Sequence, residues 1–126
     1  MRSLKTMIFA VAVFTAAVFF GNVETVCAQS GSMEWRGTVD DVVQIRIRNR
    51  NARSKTISGR DYNDDNFSFN GRAPRERASV SVDKRDGRGQ VLIVQQPNRR
   101  NNFTTIVQII DKKGGADRYR FTLNWN

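Results

Sequence analysis

Arg46, Arg48 and Arg50 stand at i, i+2 and i+4 in the segment VQIRIRNR, and Arg118 and Arg120 repeat the two-residue spacing in DRYRF. On an extended chain, residues two apart project from one face about 6.5–7 Å from each other. A guanidinium is planar, permanently charged and shaped for bidentate pairing with carboxylate, sulfate or phosphate. If the two strands are neighbours, these side chains make a cationic platform for an acidic glycan, a phospholipid head group or a nucleic acid. The same charges also have a plainer use, which is to keep a small β-protein soluble and its sheet edges from pairing. A second cationic element is Arg99-Arg100 in QQPNRRNNF, residues 95–103. Amides there can bond sugar hydroxyls, arginine can take acid groups and Phe103 can stack, although Asn-rich tracts equally build turns.

The carboxylates offer less. DYNDDN at 61–66 suggests Ca²⁺, but as an EF-hand loop it has Asn66 where glycine is needed and Arg72 where glutamate is needed. A solvated turn balanced by Arg60 and Arg72 accounts for it as well. Asp40 and Asp41 are adjacent, so on a strand they point to opposite faces and do not share a proton. Asp40 is suited to pairing with a nearby arginine or closing a turn. The whole chain contains no histidine, and its one cysteine is Cys27. A serine triad, a zinc site and a thiol nucleophile are therefore out of reach. A carboxylate-based glycan hydrolase would need Glu34, Asp41 and Glu76 to converge in a cleft, and loops this short give little room for one. The expectation is a protein that is not an enzyme, with no catalytic residue, metal or cofactor.

Positioning these side chains falls to a short chain with a distinctive start. Arg2 and Lys5 precede an apolar run at 8–21 (IFAVAVFTAAVFFG), and a polar stretch then ends in Val26-Cys27-Ala28. That order is the charged, hydrophobic and small-residue plan of a secretory signal cleaved after Ala28. The run is too short for a membrane span, which takes about 20 apolar residues. Acylation of Cys27 is the lesser alternative, because Glu24 and Val26 occupy positions where a lipoprotein has an aliphatic and a small residue. Residues 1–28 thus read as a signal peptide and residues 29–126 as one secreted or periplasmic domain, with no transmembrane anchor after processing. Losing Arg2, Lys5 and Glu24 takes the net charge from +9 to +8. No thiol remains for a disulfide, so packing alone must hold the domain.

Along 29–126 the hydrophobic period is two. Val43, Ile45 and Ile47 alternate with Gln44, Arg46 and Arg48, and Tyr119, Phe121, Leu123 and Trp125 alternate with Arg118, Arg120, Thr122 and Asn124. Phe67 and Phe69, then Val80 and Val82, do likewise. The denser runs 91–94 and 106–110 fit central strands. Further strands fall near 33–38 and 54–58. Asp86-Gly87 and Gly114-Gly115 read as hairpin turns, making the C-terminal half a four-stranded meander. Seven or eight short antiparallel strands with no helical pattern predict an all-β fold. A β-sandwich is favoured over a small closed barrel, with Trp35 and Trp125 in its core.

The stretches WRGTVDD (35–41), VDKRDGRG (82–89), QPNRRNNFT (96–104) and GGADRYRF (114–121) resemble small exported bacterial proteins with no assigned activity. The resemblance implies a compact exported β-domain and carries no functional residue with it. The function expected on these grounds is a non-catalytic binding or structural module. Its specific variant is a binder of polyanions or acidic glycans through Arg46, Arg48, Arg50, Arg99, Arg100, Arg118 and Arg120. The partner would be an acidic glycan, an anionic envelope surface or an acidic protein.

Overall fold

The structure is a computed structural model and describes residues 30–62, 65–75 and 78–126. The expected signal peptide, Glu76 and two members of the DYNDDN stretch (63 and 64) lie outside the described residues. Eight strands follow one another: β1 (Gly31–Val39), β2 (Val42–Arg48), β3 (Asn51–Ser58), β4 (Asn66–Gly71), β5 (Val80–Asp86), β6 (Gln90–Gln95), β7 (Thr105–Ile110) and β8 (Asp117–Trp125). They form two four-stranded antiparallel sheets, ordered β4-β1-β8-β5 and β3-β2-β7-β6. This is the expected β-sandwich.

Alternation decides which side chains face inward. Met33, Trp35, Val39, Tyr119, Phe121, Leu123 and Trp125 of the first sheet meet Val43, Ile45, Ile47, Val107 and Ile109 of the second in one buried cluster. Trp35 stacks on Phe121 with ring centroids 5.5 Å apart. Both tryptophans are core residues, as predicted. Trp35 Nε1 donates to Asp65 Oδ1 at 2.8 Å and Trp125 Nε1 donates to the Arg72 carbonyl, so neither indole N–H is left unpaired.

The C-terminal half is not a meander. Of its strands, only β6 and β7 are both consecutive and paired, while β5 and β8 belong to the other sheet. The turn at 86–89 instead carries the chain from one sheet to the other around Tyr119. A Cβ on Gly87 would lie 2.2 Å from the Tyr119 ring, and one on Gly89 would lie 2.1 Å from the Ile110 carbonyl oxygen. A glycine turn reverses the chain, but it does not choose the partner strand. That choice came from burying the ring. A second correction concerns β6, whose dense apolar run sits at a sheet edge rather than the centre, with Leu92 and Val94 facing out.

Candidate functional site

Sheet alternation and register place the arginines. On β2 the buried residues Val43, Ile45 and Ile47 force Gln44, Arg46 and Arg48 outward. On β3 the same parity sends Asn51, Arg53, Lys55 and Ile57 outward. Pairing sets Arg46 directly opposite Arg53, Arg48 opposite Asn51 and Gln44 opposite Lys55. Like charges face each other across the strands, an arrangement that disfavours the sheet. Arg46, Arg48 and Arg53, with Asn49, Asn51 and Thr104, line an open groove of about 370 Å³ that contains no carboxylate. Among the described residues none of these three arginines makes an ion pair or a side-chain hydrogen bond.

Arg50 is not part of this set. The chain leaves the strand at Asn49 and Arg50, both with positive φ (52° and 59°), so the two-residue period is broken. Its guanidinium instead donates to the Gly71 carbonyl of β4 at 3.1 Å and lies 6.0 Å from the Phe69 ring centroid. Arg118 and Arg120 are also separated from Arg46 and Arg48. They project from β8 on the outer face of the other sheet, across the core.

That other face is electrostatically balanced. Arg36 and Arg120 are cross-strand partners that share Glu34, each at 3.8 Å, and Arg85 pairs with Asp83 at 3.5 Å. Arg36, Arg118 and Arg120 line a groove of about 450 Å³, with Asp86 in its wall. The larger groove is therefore the less cationic of the two.

Arg99 and Arg100 lie in a 3₁₀ turn (Arg99–Asn101) between β6 and β7. Register pairs Ile47 with Thr105, which brings this turn to the Arg48 end of the sheet. Two of its asparagines make hydrogen bonds within the turn. Asn98 caps the turn, Asn101 Oδ1 accepts from the Asn98 and Thr104 N–H groups, and Asn102 takes a left-handed conformation. The sugar contact expected of these amides therefore finds Asn101 engaged through both Oδ1 and Nδ2 and Asn98 through its Oδ1.

The carboxylates considered for chemistry are engaged separately. Asp41 accepts from Ser58 Oγ at 2.6 Å, and Asp40 accepts the Arg60 N–H at 2.8 Å, closing a turn. Asp61 accepts from Thr56, and Asp65 holds Ser54 together with Trp35. Glu34 sits outward on β1, whereas Asp41 lies beyond that strand's end, about 20 Å further along an extended chain. No group of three metal-ligating acids occurs among the described residues.

One charged cluster escaped the sequence reading. Arg88 Nε bonds both oxygens of Asp111 at 3.0 and 3.1 Å, while its Nη2 donates to the Gly114 and Gly115 carbonyls. The Asp111 side chain is fully buried. Tyr119 Oη accepts the Gly89 N–H at 2.7 Å. Burial pushes the Tyr119 phenol up to about 12, and the nearby Asp111 carboxylate adds to the effect. The hydrogen bond to Asp111 likewise raises Arg88 above its ordinary value. This cluster ties the 86–89 and 111–115 turns together, and its Tyr119 forms part of the wall of the 450 Å³ groove. A signal for it existed: Asp111 continues the inward parity of Val107 and Ile109. Arg53 and Lys55 were also legible, since they alternate just as Arg46 and Arg48 do.

No family model, no curated protein and no solved structure matches this chain.

Proposed function

We propose that this protein is an exported, non-catalytic binding module that holds anionic groups on the outer face of the β3-β2-β7-β6 sheet. The observation that carries the reading is the register of Arg46 against Arg53, with Arg48 beside them in a groove that has no acid in its wall. Juxtaposed cations without counter-charges cost folding free energy, and a bound polyanion reverses the sign of that cost. Acidic glycan or another polyanion satisfies such a groove through bidentate guanidinium contacts, and Arg99 and Arg100 extend it at the Arg48 end. The candidate chemistry of a hydrolase finds no support, since Asp41 serves Ser58 and lies far from Glu34.

Heparin serves as the probe. Wild-type protein should be retained on a heparin column with a steep dependence on salt, because phosphate- and sulfate-type contacts release counterions. Replacing Arg46, Arg48 and Arg53 with serine should lower the eluting salt concentration sharply. Serine at Arg36, Arg118 and Arg120 should change it little, since Glu34 and Asp86 already offset that face. Equal loss from both triple variants would mean that net charge alone governs retention, and the assignment of the face would fail.

A further inference from the structure

The two outer faces differ in more than charge. Across β4-β1-β8-β5 the outward rows are Asn70, Ser32, Asn124 and Ser81, then Ser68, Glu34, Thr122 and Asp83, then Asn66, Arg36, Arg120 and Asp86. Each of these side chains is hydrophilic. The outward rows of the other sheet mix Arg53, Arg46, Ile106 and Gln95; then Lys55, Gln44, Gln108 and Leu92; then Ser58, Val42, Ile110 and Gln90, with Ile57 beside them. Ile57, Leu92 and Val94 are 50%, 41% and 48% exposed. Ile57 follows Lys55 on β3, whereas Leu92 and Val94 lie on β6, at the opposite edge of the same face from Arg53 and Lys55.

The most exposed two have a common cause. Register slips between Val42 and Val43 on β2, leaving Ile57 of β3 as an extra residue, and between Ile93 and Gln95 on β6, leaving Val94 extra. A bulge bends its strand and re-aims the side chain it carries. Ile57 and Val94 therefore stand out from the two edges of the sheet. Between them Gln44 donates to Gln108 at 2.8 Å. Protein–protein hot spots are enriched in aromatic anchors, and the four strands of this sheet carry no aromatic residue. A face that carries arginine and lysine along one side and protruding aliphatics at both edges has instead the composition of an interfacial membrane surface. A second copy of the chain is disfavoured by the cations it would bring against this one.

We infer that the β3-β2-β7-β6 face docks on an anionic lipid surface, with Arg46, Arg48, Arg53 and Lys55 at the head groups and Ile57, Leu92 and Val94 entering the acyl boundary. The inference rests on the proposed anion-binding role of this face and names its partner. Each cation near an anionic leaflet contributes about a fivefold gain in partition, so the four together are worth on the order of several hundredfold. The aliphatic side chains add about tenfold or more.

The test is co-sedimentation with vesicles of phosphatidylglycerol and phosphatidylcholine, set beside vesicles of phosphatidylcholine alone and beside heparin. The expected result is binding to the anionic vesicles only, weakened at least tenfold when Ile57, Leu92 and Val94 are replaced with serine, while heparin retention stays as in wild type. A far-ultraviolet circular dichroism spectrum and a cooperative thermal transition like those of the wild type show that the serine variant is folded. Two results overturn the inference: no binding to anionic vesicles, or binding that the aliphatic replacements leave unchanged. In both cases undiminished heparin retention would leave the anion-binding reading standing, whereas loss of heparin binding by the wild type would remove that reading itself.

Discussion

Tyr119 links stability to alkaline pH through one identifiable group. Its ring is 1% exposed and its phenol is raised from 10.0 to about 12, chiefly by burial. The neutral form is the one the fold accepts, so the phenol's contribution is complete below pH 10 and is lost as pH climbs toward 12. A two-unit difference between folded and unfolded chains corresponds to about 2–3 kcal/mol. The chain has two tyrosines, so a Tyr62→Phe background leaves Tyr119 as its single phenol. Urea unfolding across the alkaline range would then be compared between that background and the same chain carrying Tyr119→Phe. At neutral pH the second protein should be less stable by about 1–3 kcal/mol, because the partly buried Gly89 N–H loses its acceptor. Between pH 10 and 12 the gap should close by about 2–3 kcal/mol, while ultraviolet tyrosinate absorbance in the background protein rises over the upper part of that window. The comparison cancels the titration of lysines and other groups common to both proteins. A gap that stays constant from neutral pH to 12 would refute the reasoning, as would tyrosinate forming with a midpoint near 10.

Other substitutions probe the packing directly. Thr105 is fully buried and its hydroxyl has no hydrogen-bond partner among the described residues, so Thr105→Val should raise stability by about 1 kcal/mol. In a domain of this size that amounts to a melting temperature higher by about 4–8 °C. Gly89→Ala should be severely destabilising, because the new Cβ would come 2.1 Å from the Ile110 carbonyl oxygen and 2.5 Å from Tyr119 Oη. Gly114→Ala meets nothing within 4 Å and should cost only the strain of its positive φ, about 1–2 kcal/mol, so chemical denaturation of the two variants separates steric contact from backbone conformation.

The parity of the strands was legible in the chain before any partner was known. Val43, Ile45 and Ile47 announce β2 and send Arg46 and Arg48 to solvent whatever lies alongside. Tyr119 to Trp125 does the same for β8. The absence of histidine and the single cysteine at position 27 also follow from composition alone, as does the excess of arginine. Arg50 shows where this reasoning stops. The two-residue period assigned it to the arginine row, but Asn49 and Arg50 adopt positive φ and turn the chain toward Gly71 and Phe69 of the other sheet.

Tertiary structure decided which strands are neighbours, and with that the nature of each face. Pairing β1 with β8 puts Arg36 against Arg120 and gives both of them Glu34. Pairing β2 with β3 puts Arg46 against Arg53 with no acid between. The Asp86-Gly87 and Gly114-Gly115 turns became crossings between sheets because Tyr119, Arg88 and Asp111 are satisfied only when the two turns close over them. The physical reason is a difference in range. Alternation reports whether a residue is inside or outside, which each strand settles with its nearest chain neighbours. Strand partnership depends on contacts between residues distant in sequence, such as Gly31 with Trp125, and their free energy exists only once the two sheets have closed on one core.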